Sequence, residues 1–230
     1  MTKLTFLGHS AVLLQAAGID VLVDPFLTGN PKAATSADEV PADVIVLTHG
    51  HGDHYGDAIG IAERTGAKVV ALVETANELM EKGVADVADP NLGGTVRFDG
   101  GWVRYVPAWH TSTTPDGTVA VAAGVVLSVG GTTIYHLGDT ALFSDLALPG
   151  RRDRLDAALI PIGGHYTMDR HDAVEAARLV GAPLVVPVHY DTFPPVETDA
   201  QAYKGDVEGA GIATVEVLAP GTSVEIEATA

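Results

Sequence analysis

Short apolar runs separated by glycine dominate the N-terminal part of the chain, a pattern typical of β strands joined by tight turns. Leu4–Phe6, Ala11–Ala16 and Ile19–Val23 are rich in Val, Leu and Ile. Residues 24–42 carry three prolines among scattered Ala, Thr and Ser and are predicted to form a loop. Val44–Leu47 is a continuous apolar run, as expected of a strand that is buried on both faces.

Helical spacing follows these strands and returns near the C-terminal end. Residues 56–65, Thr75–Lys82 and Asp172–Val180 are each predicted to form a helix that ends at the glycine directly after it. The other predicted elements are strands at Val69–Val73, Thr95–Phe98, Trp102–Pro107, Val119–Val129, Thr132–His136, Ala157–Ile160 and Leu184–Val188, a short helix at 199–209, and a closing hairpin of Thr214–Leu218 with Ser223–Glu227.

The order of these elements predicts a single α/β domain that spans residues 1–230. Each half of the chain begins with β-rich sequence and then becomes helical, which indicates two packed β sheets with helices outside them. A chain of 230 residues, 47% of them hydrophobic, is long and apolar enough to bury a full core. We find no short repeat, low-complexity tract or linker that would divide it.

Composition and charge exclude several classes of function. The chain has no cysteine, which excludes disulfides, thiolate zinc sites, iron–sulfur clusters and a cysteine nucleophile. The formal net charge is -17, so no nucleic-acid partner is expected without a local basic patch. No apolar stretch is long enough to span a bilayer and no signal peptide is evident, so we expect no membrane partner and a cytoplasmic protein.

The chemistry of the chain is concentrated in Thr48-His49-Gly50-His51-Gly52-Asp53-His54, directly after a predicted buried strand. In an extended segment, side chains two residues apart point to the same side, so His49 and His51 can bind one ion together. Asp53 and His54 come after a further turn and can face a second ion. Imidazole and carboxylate ligands suit Zn, Fe or Mn. A polar turn that is merely rich in histidine is the alternative.

Four residues cannot complete the ligand shells of two ions, so further ligands must come from distant parts of the chain. His110, Asp139 and His189 each come shortly after a predicted strand. Sites in α/β proteins usually form just past the C-terminal ends of strands, which predicts that these three residues converge on the histidine motif. A lone histidine in such a place is more often structural, and it is the shared placement that favours ligation.

The complete pattern resembles the metallo-β-lactamase superfamily of hydrolases. His-x-His-x-Asp-His, a distant His, Gly-Asp-Thr and a last His after a strand carry this resemblance. Leu7-Gly8-His9-Ser10, Val23-Asp24-Pro25-Phe26 and residues 161–168 resemble, more narrowly, small metal-dependent hydrolases related to ascorbate-6-phosphate lactonase. The resemblance covers nearly the whole chain. It implies a four-layer αββα sandwich of two mixed β sheets with helices outside, and it does not fix a substrate.

The resemblance also implies a centre of two divalent metal ions, zinc in the first place and manganese or iron as alternatives. The ligands would divide by position into His49, His51 and His110 for the first ion, Asp53, His54 and His189 for the second, and Asp139 as a bridge. A metal-bound hydroxide would then attack a small ester, lactone or phosphodiester. Asp53 is expected to take part in this catalysis as well as in metal binding.

Two further histidines are candidates for catalysis. His9 lies in a Gly-His-Ser turn and could line the pocket, or it could be a hydrogen-bonded turn residue. His165 could protonate a leaving group or bind an anionic substrate, or it could be a loop histidine packed on Tyr166. Asp24 could accept a hydrogen bond from a ligand histidine, or it could belong to an Asp-Pro turn. The basic cluster Arg151-Arg152-Asp153-Arg154 could guide a phosphate, although a solvated loop is favoured.

The leading interpretation is therefore a metal-dependent hydrolase of a small molecule. The substrate could be anionic, and the protein could form a homo-oligomer. An iron-dependent oxygenase or redox protein on the same scaffold is an alternative, and a non-catalytic metal-binding protein is another. Flavo-diiron oxidoreductases of the superfamily have Glu where this chain has His51, so the intact histidine favours hydrolysis. A structural metal site is usually closed by four ligands, so the presence of seven candidate ligands argues against a non-catalytic protein.

Overall fold

The computed structural model describes residues 1–228, which contain fourteen β strands and six α helices. The strands are β1 Thr2–Gly8, β2 Ala11–Ala16, β3 Ile19–Val23, β4 Val44–Val46, β5 Lys68–Val70, β6 Val87–Ala88, β7 Thr95–Phe98, β8 Gly101–Thr113, β9 Val119–Val129, β10 Thr132–His136, β11 Ala157–Pro161, β12 Leu184–Val188, β13 Thr214–Val215 and β14 Ser223–Ile226. The helices are α1 Gly52–Tyr55, α2 Ala58–Thr65, α3 Val73–Glu81, α4 Ala147–Arg152, α5 Arg170–Val180 and α6 Ala200–Gly209.

The strands form two seven-stranded sheets of the same mixed design. The first sheet has the order β14-β1-β2-β3-β4-β5-β6, antiparallel as far as β3 and parallel from β3 to β6. The second has the order β13-β12-β11-β10-β9-β8-β7, antiparallel from β7 to β10 and parallel from β10 to β13. The two mixed sheets predicted from the sequence are confirmed.

Alternating side chains divide the core into three layers. In β4, Val44 and Val46 face the core between the two sheets, whereas Ile45 packs outward with the helices. A strand that is covered on both faces needs apolar side chains at every position, which explains its continuous apolar run. Helices α2 and α3 cover the first sheet, and α5 and α6 cover the second. The four-layer αββα sandwich is therefore confirmed.

Two predicted local features differ in the structure. The predicted helix at 56–65 is α2, which begins later, at Ala58, and the unpredicted short helix α1 precedes it and ends before Gly56, whose φ is 43°. A Cβ atom at Gly56 would lie 2.4 Å from the carbonyl oxygen of Pro25, so this close approach needs glycine. The predicted closing hairpin does not form, because Thr214–Val215 pairs with β12 in the second sheet and Ser223–Ile226 pairs with β1 in the first.

The remaining expectations concern the extent and the environment of the chain. The predicted single domain ends at residue 230, and residues 229–230 lie outside the described residues. Within residues 1–228, none of the helices combines the length and the apolar composition that crossing a bilayer requires.

Candidate metal centre

The candidate centre lies where the C-terminal ends of parallel strands from both sheets meet. His49 and His51 follow β4 directly, and Asp53 and His54 lie in the short helix α1. Asp139 follows β10 and His189 follows β12, so the second sheet contributes from its own parallel half. Residues far apart in the sequence therefore converge on one edge of the sandwich, as predicted from their shared placement after strands.

The prediction that His110 comes after the end of a strand is wrong. Strand β8 does not end at Pro107 but continues to Thr113, and its pairing with β9 shifts register between Pro107 and Thr111. His110 lies inside this irregularity. A bulge bends a strand and redirects its side chains, and here the imidazole of His110 lies within 3.5 Å of Asp139. His110 therefore lies at the candidate centre, as predicted, but a bulge within β8 places it there rather than the end of a strand.

The first group of ligand atoms consists of three imidazoles. Nε2 of His49 and Nδ1 of His51 are 3.1 Å apart. One nitrogen from each of His49, His51 and His110 lies within 4.8 Å of the others. Two ligands at about 2.1 Å from a tetrahedral ion are about 3.4 Å apart, so this spacing suits a common ion.

The second group consists of Asp53, His54, His189 and, in addition, His9, again with one ligand atom each within 4.8 Å of the others. Nε2 of His189 lies 3.8 Å from Oδ2 of Asp53. The same carboxylate oxygen lies 3.1 Å from Nε2 of His9. Sequence reasoning placed His9 near the pocket, and the structure brings its ring directly onto Asp53.

Asp139 lies between the two groups and is almost completely buried. Its Oδ1 is 3.3 Å from Nε2 of His54, and its Oδ2 is 3.1 Å from Nε2 of His189 and 3.5 Å from Nε2 of His110. Burial alone would raise the pKa of Asp139, but the facing imidazoles of His189 and His54 hold it well below its usual range. The side chain is therefore a carboxylate that faces imidazoles of both groups, with Oδ1 near the second group and Oδ2 near both.

Asp24 orients one histidine of each group through a chain of hydrogen bonds. Its Oδ2 accepts from Nδ1 of His54 at 2.7 Å and from the hydroxyl of Thr48 at 2.7 Å. Because the Thr48 hydroxyl donates to Asp24, it accepts from Nδ1 of His49, 3.0 Å away. The Nδ1 atoms of His49 and His54 are thereby held by hydrogen bonds, and their Nε2 atoms are directed at the centre. The predicted contact of Asp24 with a ligand histidine is confirmed, whereas Thr48 carried no recognisable signal.

The donor set fits bound cations. Buried side-chain atoms normally have hydrogen-bond partners, yet Nε2 of His54, Oδ1 of Asp139 and both ring nitrogens of His189 have none among residues 1–228. Burial lowers the pKa of His49 well below its ordinary value, so its ring is neutral, as a ligand must be. Burial would do the same to His54, but Asp139 and Asp24 raise its pKa well above that value. The two carboxylates thus favour a positive charge where a metal ion would replace the proton.

The candidate centre opens into a cleft of about 480 Å³. The residues that line it are His51, Asp53, His110, Thr111, Asp139, Tyr166, His189, Phe193 and Pro195. His165 does not belong to this lining. Its side chain is exposed and packs edge-on against the ring of Tyr166, with ring centres 4.5 Å apart. This contact matches the alternative interpretation of His165 as a loop histidine packed on Tyr166.

Two contacts around the centre could not be anticipated from the sequence. The hydroxyl of Thr192 lies 2.8 Å from Nδ1 of His9, and the hydroxyl of Ser112 accepts a hydrogen bond from the backbone N–H of Gly50 at 2.9 Å. Both join segments that are distant in the chain. A single serine or threonine in a strand or loop gives no sign of such a partner, so only the folded arrangement reveals them.

Comparison with known proteins agrees with this geometry. The model of a family described as "Beta-lactamase superfamily domain" matches residues 3–189. A protein of Thermus thermophilus named UPF0173 metal-dependent hydrolase is 49% identical over 225 residues, which cover 95% of this chain and 99% of that protein. A protein of the same name from Methanopyrus kandleri is 43% identical over 228 residues, 97% of this chain and 99% of that one.

A solved structure is also similar over almost the full length. Igni18, described as a novel metallo hydrolase from the archaeon Ignicoccus hospitalis, is 38% identical, with a TM-score of 0.89 and coverage of 97% of both chains. The fold, the convergent histidine and aspartate side chains and these similarities lead to one conclusion. The chain belongs to the beta-lactamase superfamily and, within it, to the UPF0173 proteins.

Proposed function

We propose that this chain is a hydrolase that uses two divalent metal ions, zinc in the first place, to cleave a small ester, lactone or phosphodiester. Relatives that are 43% to 49% identical over nearly their whole length are named metal-dependent hydrolases, which supports the reaction class. The placement of Asp139 between two groups of ligand atoms is the observation that carries the dinuclear centre. The resemblance of several sequence motifs to ascorbate-6-phosphate lactonase is the reason that lactones are included.

The ligands would divide as the two groups divide in space. His49, His51 and His110 would hold one ion, Asp53, His54 and His189 the other, and Asp139 would serve both. When bound, such ions lower the pKa of a water molecule towards neutrality and stabilise negative charge that develops on the substrate.

The remaining residues of the centre would fix ligand orientation. Asp24 holds His54 directly and His49 through Thr48, so one carboxylate sets the direction of a ligand in each group. Burial lowers the pKa of His9 to about 4, and its neutral ring donates from Nε2 to Asp53, because an ionised carboxylate can only accept. His9 is therefore placed to hold Asp53 in position. His165 does not line the cleft, and we assign it no step.

Metal analysis and a substrate panel test the proposal together. We expect purified wild-type protein to contain about two ions per chain and to cleave at least one of bis-nitrophenyl phosphate, a nitrophenyl ester and a sugar lactone. Asp139→Ala should lose the activity and at least one ion. His171→Ala, in an exposed side chain outside the centre, should change neither. Iron content with oxygen consumption would favour the oxygenase, and metal-loaded but inert protein would favour a binding role.

A further inference from the structure

We infer that the cleft selects an uncharged substrate, and that Phe193 and Tyr166 form the apolar wall that the substrate's side group contacts. This inference rests on the proposed function and narrows it to neutral esters and lactones, because a phosphodiester carries a negative charge. The sequence left an anionic substrate open. The residues that line the cleft favour a neutral one, for reasons of charge and of shape.

The lining of the cleft contains no cationic side chain among residues 1–228. Its charged members are Asp53 and Asp139, and both belong to the proposed ligand set. The other side chains that are not metal ligands are Thr111, Tyr166, Phe193 and Pro195. A phosphate or carboxylate on a substrate is normally recognised by Arg or Lys, which supply charge-assisted hydrogen bonds. An anionic group that extends from the reacting centre would find no such partner here.

Charge balance at the centre leads to the same conclusion. Two divalent ions would bring four positive charges, but Asp24, Asp53 and Asp139 are carboxylates at or beside the proposed ligands and offset most of them. The protein as a whole carries a net charge of -17, so its average field repels anions. Little positive potential remains to attract an anionic substrate.

Cationic residues face other cavities. Lys32 lines a neighbouring cleft of about 1020 Å³, which Asp191, Glu197 and Asp199 also line, so the acids outnumber the base there. Arg152 lies at the end of helix α4 and lines a separate cavity of about 170 Å³ together with Arg104. The basic cluster that could have guided a phosphate is thus not part of the metal cleft.

Ring contacts and hydrogen bonds hold the loop that carries Phe193. The ring of Phe193 packs 5.7 Å from that of His9 and 6.3 Å from that of Phe26, centre to centre. The backbone N–H of Asp191 donates to the carbonyl of Val196, and the N–H of Thr198 donates to the carboxylate of Asp191. These bonds close the loop on both sides of Phe193, so the ring of Phe193 is held in place before substrate binds and its contribution to the ordering cost is small.

Hydroxamates with different tails test the inference through binding. The hydroxamate group chelates metal ions, so it anchors each probe at the centre whichever bond the enzyme cleaves. We would measure the affinity of zinc-loaded wild-type protein by calorimetry for acetohydroxamate, benzohydroxamate and the monohydroxamate of succinic acid. Benzohydroxamate should bind about tenfold more tightly than acetohydroxamate, because its ring is buried against the wall. The succinic probe should bind no more tightly than acetohydroxamate.

Single substitutions test whether the ring of benzohydroxamate contacts Phe193 and Tyr166. Phe193→Ala should remove the tenfold advantage of benzohydroxamate and leave acetohydroxamate binding unchanged. Tyr166→Ala, at a side chain that is 55% exposed and therefore unimportant for folding, should reduce the same advantage. Phe98→Ala is the matched control, because Phe98 lines a cavity with Val44 and Lys68, at the opposite ends of β4 and β5. This variant should behave as wild type with every probe.

The outcomes separate this inference from the proposed function. Tighter binding of the succinic probe than of benzohydroxamate would overturn the inference and leave the metal centre intact. An unchanged benzohydroxamate advantage in both Phe193→Ala and Tyr166→Ala would overturn the assignment of the wall. Failure of the purified protein to take up zinc would overturn the metal centre itself, and the inference with it.

Discussion

Oδ2 of Asp24 lies 2.7 Å from Nδ1 of His54, and neither side chain is exposed to solvent. Burial alone would raise the pKa of Asp24, but His54 holds it below its usual range, so the pair joins a carboxylate to an imidazole N–H. The same carboxylate reaches His49 through Thr48. One aspartate that contacts no metal therefore sets the orientation of a ligand in each of the two proposed metal groups.

Asp24→Asn should weaken the binding of both ions rather than of one. An amide can still occupy the space, but it lacks the charge that stabilises the hydrogen bonds from His54 and Thr48, and such supporting contacts typically contribute about 10-fold to 100-fold in metal affinity. Competition with a chelator would measure the effect. Asp43→Asn, at an exposed residue before β4, is the control and should bind metal as wild type does. Loss of only one ion would show that Thr48 does not transmit the effect.

His9→Ala should lower kcat/KM by about 10-fold to 100-fold while the protein retains metal, because Asp53 loses the hydrogen bond that fixes it and positioning effects commonly have this size. His9→Asn is an informative partner. Asparagine tolerates the positive φ of 59° at this position and still carries a donor. Partial recovery of activity in His9→Asn is the expected result. Full activity in His9→Ala would mean that Asp53 is held by other contacts.

Gly138→Ala should destabilise the fold by about 3 kcal/mol, since it combines a left-handed backbone with a steric clash. The φ of Gly138 is 63°, and a Cβ atom there would lie 2.4 Å from the carbonyl oxygen of Ala123. Gly131→Ala is the matched control, because its φ of 87° is equally left-handed but no atom lies within 4 Å. We expect that variant to lose only about 1 kcal/mol. Chemical denaturation would measure both, and equal losses would refute the clash.

Tyr105→Phe should destabilise the protein by about 1 to 3 kcal/mol. The buried hydroxyl of Tyr105 lies 2.9 Å from the carbonyl oxygen of Leu47 and 2.8 Å from that of Val70. Leu47 is the last residue before the histidine motif, and Val70 is the last residue of β5 in the first sheet. Tyr105 belongs to β8 in the second sheet, so its hydroxyl joins the two sheets beside the centre. Tyr166→Phe, at an exposed ring, should leave the thermal unfolding midpoint unchanged. A stable Tyr105→Phe would show that water replaces the hydroxyl.

The fold could be predicted from the sequence because its signals are local and repeated. The continuous apolar run at Val44–Leu47 reports burial on both faces within four residues, and the αL glycines Gly66 and Gly181 end their helices as predicted. The convergence of Asp139 and His189 on the histidine motif followed from a general rule about the ends of parallel strands. These predictions needed no knowledge of which strands are neighbours.

Predictions that depended on distant pairing were the ones that failed. The strand that is β8 was predicted to end at Pro107, yet pairing with β9 resumes at Thr111 beyond the bulge. The closing hairpin was inferred from a turn signal, but Thr214–Val215 and Ser223–Ile226 each find a partner in a different sheet. A turn motif describes a local bend and carries no information about which edge a strand will join.

The pairing of β14 with β1 places Thr2 opposite Ile226, so this edge of β1 has no partner strand until β14 has been synthesised. Until then the edge of β1 offers unpaired amide and carbonyl groups to any other extended segment. Nascent chains that stall before residue 223, or fragments clipped there by a protease, would expose this edge and be prone to aggregate. The edge of β1 is thus protected only in chains that include β14.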